Sequence, residues 1–225
     1  MDPHAENFFK HDDYFIDEKV QFLKFTNTYK VYDSSGSQIG VIQESMSTAL
    51  KFLSLILGKA SMPFTLTIVD TEDHVLATIK RGWTLFMSRI SIYDGEGGEI
   101  ARIKQKFKMF KPTFHILDLN DAALATISGD WKAWNFTITG EGDAQIGTIT
   151  KKWSGLLKEA FTTADKYIVS INAGVTGAAR IATVAAAITI DMVLKESKSG
   201  RLWKPRLGSG AFGLWPPAKA AGKNR

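Results

Sequence analysis

The chain contains no cysteine, so a disulfide framework, a thiolate metal site and a cysteine nucleophile are excluded, and the composition suits a reducing compartment. A hydrophobic run of membrane-spanning length is also lacking. In the most apolar stretch, Thr176 to Leu194, the charges on Arg180 and Asp191 leave only Ile181 to Ile190 uncharged between them, whereas a bilayer span needs about 18 residues or more. Met1 to Lys10 carry Asp2 and Glu6 and no apolar core, so no secretory signal is expected. Histidine is scarce. His4, His11, His74 and His115 fall in a terminus, a turn and a strand, without the Glu or Asp spacing of a metal motif. Gly208-Ser-Gly210-Ala-Phe-Gly213 matches a dinucleotide fingerprint in letters only, because it neither follows a strand nor opens a helix, and Pro216-Pro217 come close behind. No nucleophile has a base near it. The expectation is a non-enzymatic protein with no catalytic residues, no metal and no cofactor.

What is present is organised around Thr176 to Leu194, read as one helix of about 20 residues and ~30 Å. Alternating Tyr167, Val169 and Ile171 and the turn Asn172-Ala173-Gly174 precede it. Ala178, Ile181, Ala182, Val184, Ala185, Ile188, Ile190 and Val193 leave it no broad wet face, so it is expected to be buried in protein. Arg180 and Asp191 are 11 positions apart and share one narrow stripe. A polar seam that reaches solvent or pairs with a surrounding sheet explains them better than a catalytic pair.

A repeat supplies the surrounding sheet. With Asp33, Asp70, Asp94, Asp118 and Gly140 aligned, Val31, Ile68, Ile92, Ile116 and Ile138 stand two residues earlier. Seven residues later come Gly40, Ala77, Ala101, Ala125 and Gly147, and nine later Ile42, Ile79, Ile103, Ile127 and Ile149. These are period-2 strand positions on either side of Asp-, Asn- and Gly-rich turns, which makes five copies of one hairpin. A sandwich would explain the alternation equally well. Only a closed sheet wrapped around an Ala-rich helix gives the small-residue column a reason. The fold class is therefore mainly β: a closed antiparallel barrel around a central C-terminal hydrophobic helix.

The organisation around that core is read as an N-terminal arm over 1–18, a barrel domain over 19–196 and a disordered tail over 197–225. Val20, Phe22, Leu23 and Phe25 suggest an extra strand before the first repeat. Ser47 to Leu57 fit a short helix that closes one barrel end, with a membrane-dipping helix as the sharper alternative.

Charge is unevenly spread. From Lys195 to Arg225 eight basic residues and one acid give +7 against +5 for the whole chain, leaving −2 for everything before Lys195. Arg201, Trp203, Lys204, Arg206 and Trp215 interleave bases with interfacial aromatics, a composition that favours anionic membrane surfaces and could also bind nucleic acid. Arg102, Lys104, Lys106 and Lys108 alternate at period 2, flanked by Lys111, and are expected to leave the same outer face as a row of like charges.

Gly147 to Tyr167, with Lys152-Trp153-Ser-Gly155 as its most specific part, resembles the segment of phospholipid scramblases before their last helix. Met62-Pro-Phe-Thr-Leu-Thr-Ile-Val-Asp70 and Asn27-Thr-Tyr-Lys-Val-Tyr-Asp33 resemble repeats of the same family, and the layout resembles LURP-one-related proteins. The resemblance covers about residues 20 to 195 and implies a tubby C-terminal-like fold, a barrel of about twelve strands around the helix. Scramblases of this family also carry palmitoylated cysteine clusters and an acidic calcium-associated segment at the start of the last helix. This chain has neither, since Asn172 to Gly177 offers no carboxylate. The function expected is a tubby-like protein, cytoplasmic or peripheral at the inner membrane face, that associates with anionic phospholipid through Arg102, Lys104, Lys106, Lys108, Lys111 and the tail. The alternatives are a scramblase that moves lipid between leaflets by inserting the helix, and a nucleic-acid-linked regulator using the basic tail.

Overall fold

The computed structural model describes residues 2–19, 28–45, 63–82, 89–106, 112–130, 132–151 and 166–202. A short helix α1 (Pro3–Phe9) precedes twelve strands: β1 (Asp13–Lys19), β2 (Thr28–Tyr32), β3 (Gln38–Ser45), β4 (Phe64–Val69), β5 (Val75–Arg81), β6 (Arg89–Asp94), β7 (Glu99–Lys106), β8 (Thr113–Leu117), β9 (Ala123–Asp130), β10 (Asn135–Thr139), β11 (Gln145–Thr150) and β12 (Lys166–Ile171). Each strand pairs antiparallel with the next, and β1 pairs with β12, which closes the barrel. Helix α2 (Gly177–Leu202) follows.

The hairpin repeat is reproduced down to its turns. In every copy the aligned small residue lies opposite the aligned β-branched one: Val31 faces Gly40, Ile68 Ala77, Ile92 Ala101, Ile116 Ala125, and Ile138 Gly147. The register shifts one step beyond that pair in all five, at Tyr32, Val69, Tyr93, Leu117 and Thr139. The residue three places after the aligned Asp or Gly has a positive φ in each turn, at Gly36, Asp73, Gly97, Asp121 and Asp143. This is the geometry of a turn closed by a bulge, in which one left-handed residue lets the strands twist without splaying.

α2 runs through the lumen. Arg180 to Ile190 are buried on every side, and the helix packs against β5 to β9 and β12. The small-residue column makes room: a Cβ on Gly40 would run into the Val69 carbonyl and the Phe8 ring. Thr183 and Thr189 bond the carbonyls of Ala179 and Ala185 in their own helix, at 2.7 Å each, so their hydroxyls need no partner in the barrel wall.

Three elements add to or differ from expectation. Residues 1–18, read as an arm, form α1 and most of β1, and α1 buries Phe8 and Phe9 in the barrel core. Asp2 caps this helix through the His4 N–H, and Pro3 occupies its first turn, both standard start signals. A strand before the first repeat is present at Asp13–Lys19, while Val20 to Phe25 lie outside the described residues. α2 is 26 residues long and runs to Leu202, because Glu196, Lys198 and Arg201 are good helix formers that need no burial. The helix expected over Ser47 to Leu57 lies outside the described residues.

The outer face is polar. Thr65, Thr67, Thr78, Lys80, Arg102, Lys104, Thr137 and Thr148 point outward while apolar neighbours point in, the reverse of a membrane-spanning barrel with its apolar exterior. Among the described residues no helix is long and apolar enough to cross a membrane.

Candidate functional site

Because the strands alternate in direction, the five turns gather at one end of the barrel, where α2 also begins. At this turn end, Arg180 ties the start of α2 to the chain between α1 and β1. Its guanidinium donates to the carbonyls of Phe9, His11, Asn172 and Val175, the last two at 3.0 Å, and to Asp12 Oδ1 at 3.0 Å. It is buried, and its fork of donors is spent on backbone that no helix or strand satisfies. The seam expected with Asp191 toward solvent or the sheet takes another form at Arg180, which is buried against carbonyls of the chain segments at the turn end; the Asp191 side chain is outside the described residues. A groove of about 440 Å³, lined by Phe9, Lys10, Ala173, Val175 and Thr176, opens beside it.

Four of the turns are set by one carboxylate each. Oδ1 of Asp33, Asp70, Asp94 and Asp118 accepts the N–H groups two and four residues ahead, at 2.7 to 3.1 Å. In the fifth, Gly140 offers no side chain, and a 3-10 turn over Glu141–Asp143 replaces the bond. Burial works to raise the pKa of Asp33 and Asp70, yet the bonds they accept hold both below the ordinary carboxylate value.

Asp70 has a second role. Its Oδ2 lies 2.9 Å from His4 Nδ1 and 3.1 Å from His74 Nδ1, and the two imidazole centroids are 3.7 Å apart. Glu72 Oε2 stands 3.9 Å from His74 Nδ1. Sequence spacing missed this group because His4 and Asp70 are 66 positions apart.

At the opposite end bases outnumber the acids Asp17, Glu44 and Asp130. β5 finishes there with Lys80 and Arg81, β6 begins with Arg89, β7 finishes through Lys104 and Lys106, and Lys151 and Lys166 flank the β11–β12 pair. Register aligns Arg89, Lys104 and His115 side by side across β6, β7 and β8 on the outer face. Arg81 lies 4.4 Å over the Phe64 ring and Lys151 4.4 Å over Trp134, which stacks on Tyr167. Arg89 and Lys80 are exposed, and the sequence reading missed both, since cross-strand neighbours are invisible to spacing within one strand.

The expected row on β7 is changed in one respect. Arg102 and Lys104 do leave the same face, but both have carboxylate partners. Arg102 grips Glu99 through Nε at 3.0 Å and a second nitrogen at 3.3 Å, and Lys104 bonds Asp121 at 2.8 Å. Hydrogen bonds from these bases are the first reason that Glu99 and Asp121 have lowered pKa values. The row is therefore relieved toward the turn end. The Lys106 side chain, Lys108, Lys111, Trp203, Lys204, Arg206 and Trp215 lie outside the described residues, and for Arg201 only the helical backbone is described.

Comparison with known proteins places this barrel. The scramblase family profile matches residues 18–197. "Altered inheritance rate of mitochondria protein 25" of Saccharomyces cerevisiae is 20% identical over 198 residues, covering 75% of this chain and 61% of that protein. "Phospholipid scramblase family member 5" of Homo sapiens is 24% identical over 192 residues, covering 76% and 67%. The chain thus spans only about two thirds of the length of these relatives. A solved Arabidopsis thaliana protein superposes with a TM-score of 0.49 at 9% identity, over 83% of this chain and 93% of that one. With the family profile matching most of its length, the chain belongs to the scramblase family.

Proposed function

We propose that this protein is a non-enzymatic, peripheral membrane protein that docks on anionic phospholipid headgroups with the basic end of its barrel. The observation that carries the reading is the separation of charge along the barrel axis. Asp70, Glu72, Asp73, Asp94, Glu96, Asp118 and Asp121 crowd the turn end, where Asp121 pairs with Lys104, whereas Lys80, Arg89, Lys106 and Lys151 belong to the other and outnumber its acids Asp17, Glu44 and Asp130. An anionic surface repels the first end and attracts the second, and each Lys or Arg near such a surface contributes about 1 kcal/mol. α2 runs from the turn end to the basic end, so the stretch that begins at Lys195 and carries +7 leaves the barrel where those bases lie. Lys106, Lys108, Lys111, Arg201, Trp203, Lys204, Arg206 and Trp215 complete the proposed contact. The anionic inner leaflet is the surface that fits, on the cytoplasmic side.

Family membership and the names of the relatives favour one other reading, movement of phospholipid between leaflets. In that case α2 would have to leave a lumen in which it is buried along Arg180 to Ile190 and anchored by Arg180.

Vesicle co-sedimentation separates the readings. Binding is expected to anionic vesicles and not to neutral ones, and to weaken as salt shortens the Debye length below ~8 Å. The pair Lys80→Gln and Arg89→Gln should lower binding about thirtyfold, a loss that two charges at about 1 kcal/mol each would account for. The melting temperature should change little, since exposed ion pairs contribute about 0–1 kcal/mol. Equal, salt-insensitive binding to neutral vesicles would support helix insertion instead, and no vesicle binding with tight DNA binding would support the nucleic-acid reading.

A further inference from the structure

We infer that His4, His74, Glu72 and Asp70 form a binding site for a divalent transition-metal ion of the zinc type, which clamps α1 to the β4–β5 turn. The site lies on the acidic end of the barrel, away from the bases of the proposed membrane contact.

The geometry is close to a ligand set. One donor atom each from His4, Glu72 and His74 lies within 4.8 Å of the others. The Nδ1 atoms of His4 and His74 stand 2.9 and 3.1 Å from Asp70 Oδ2, near the separation of roughly 3.3 Å between neighbouring ligands of a tetrahedral ion bound at about 2.0 Å. Asp70 is held in place for this role, because its Oδ1 is already committed to the N–H groups of Glu72 and His74 and only Oδ2 faces the rings. The Glu72 carboxylate is the group that must move, and it is 72% exposed and free to turn inward by about 1 Å. The two imidazoles, tilted 34° with centroids 3.7 Å apart, both present Nδ1 to one carboxylate oxygen, so three potential ligand atoms already converge. With the ion bound, each ring turns a lone pair on Nδ1 toward it and keeps its proton on Nε2.

The donor set selects the ion. Two imidazoles and two carboxylates, with no thiolate available, suit Zn²⁺ and its neighbours, while Ca²⁺ and Mg²⁺ need six or more oxygen ligands or a near-complete water shell. Occupancy would also have a structural effect. His4 sits on the helix that carries Phe8 and Phe9 into the barrel mouth, so an ion shared with the β4–β5 turn would hold α1 seated. An ion that binds only the folded chain raises its stability in proportion to occupancy.

The test is isothermal titration of the whole chain, without a histidine tag, with ZnCl₂ at neutral pH, alongside melting with and without the ion. The expected result is one zinc per chain and a melting temperature that rises with zinc. His4→Ala and His74→Ala should each weaken binding at least tenfold and abolish the rise, while His115→Ala, on β8 outside the group, should change neither. The mutated side chains are 40% and 47% exposed, so the variants should fold, and their metal-free melting checks this. Co²⁺ should give visible bands of tetrahedral N/O coordination that disappear in both variants, and Ca²⁺ should not compete. Absence of saturable zinc binding, or binding unchanged in His4→Ala and His74→Ala, would overturn the inference.

Discussion

A single carboxylate oxygen organises each of four turns, and this has a consequence for acid stability. Asp33 and Asp70 have folded pKa values below the ordinary carboxylate value of 3.8, so the unfolded chain takes up protons first as pH falls. The contribution is therefore complete above about pH 4 and is lost as pH drops through the lowered folded values. Urea melts between pH 7 and pH 3 should show the chain losing stability below pH 4. Asp70→Ala should cost about 1–2 kcal/mol at pH 7, for two N–H groups left without their acceptor, and should show a shallower acid slope. An unchanged slope in Asp33→Ala and Asp70→Ala would mean that these carboxylates do not set the turns. The aspartate column was readable in the sequence because it recurs at one register between strand-like arms. The role of Asp70 toward His4 was not, because only the seating of α1 brings position 4 against position 70.

At the scale of elements, ten of the twelve strands, β2 to β11, and the room for the buried helix follow from one pattern: small residues opposite β-branched ones, repeated five times. That pattern was written in period-2 spacing, and so was the need for something slender in the lumen. α1 was harder to read. Its start signals at Asp2 and Pro3 are plain, but seven residues are too few for a helical period, and Phe8-Phe9 takes its meaning only from the barrel mouth it fills. The length of α2 beyond Leu194 was hidden for the opposite reason, since apolar periodicity in the sequence stops at Leu194 while helical propensity continues. Ala185 and Ala186 are fully buried in the lumen. Leucine at either should overpack it and cost about 1–3 kcal/mol in chemical denaturation. A neutral result at both sites would mean that the helix does not fill the barrel as described.

At the scale of the molecule, the described barrel is electrically lopsided, and no window of its sequence displays this. Acidic turns alternate along the barrel sequence with strand ends in which bases outnumber acids, so their charges largely cancel in a local count there, and only the up-and-down topology sorts them to opposite ends. Sorting also turns the basic row from a feature of β7 alone into a surface shared with β5, β6 and β8, with Arg89 beside Lys104. The absence of cysteine makes the resulting orientation directly measurable, because one introduced thiol can be labelled without background. Ser35→Cys places a fluorophore on the acidic turn end and Thr113→Cys places one at the start of β8 on the basic end. With anionic vesicles that carry a headgroup-level quencher, the label at position 113 should be quenched and the label at position 35 should not, and added salt should reverse the quenching. Quenching at position 35, equal quenching at both positions, or quenching that survives high salt would contradict a barrel that stands on the membrane by its basic end.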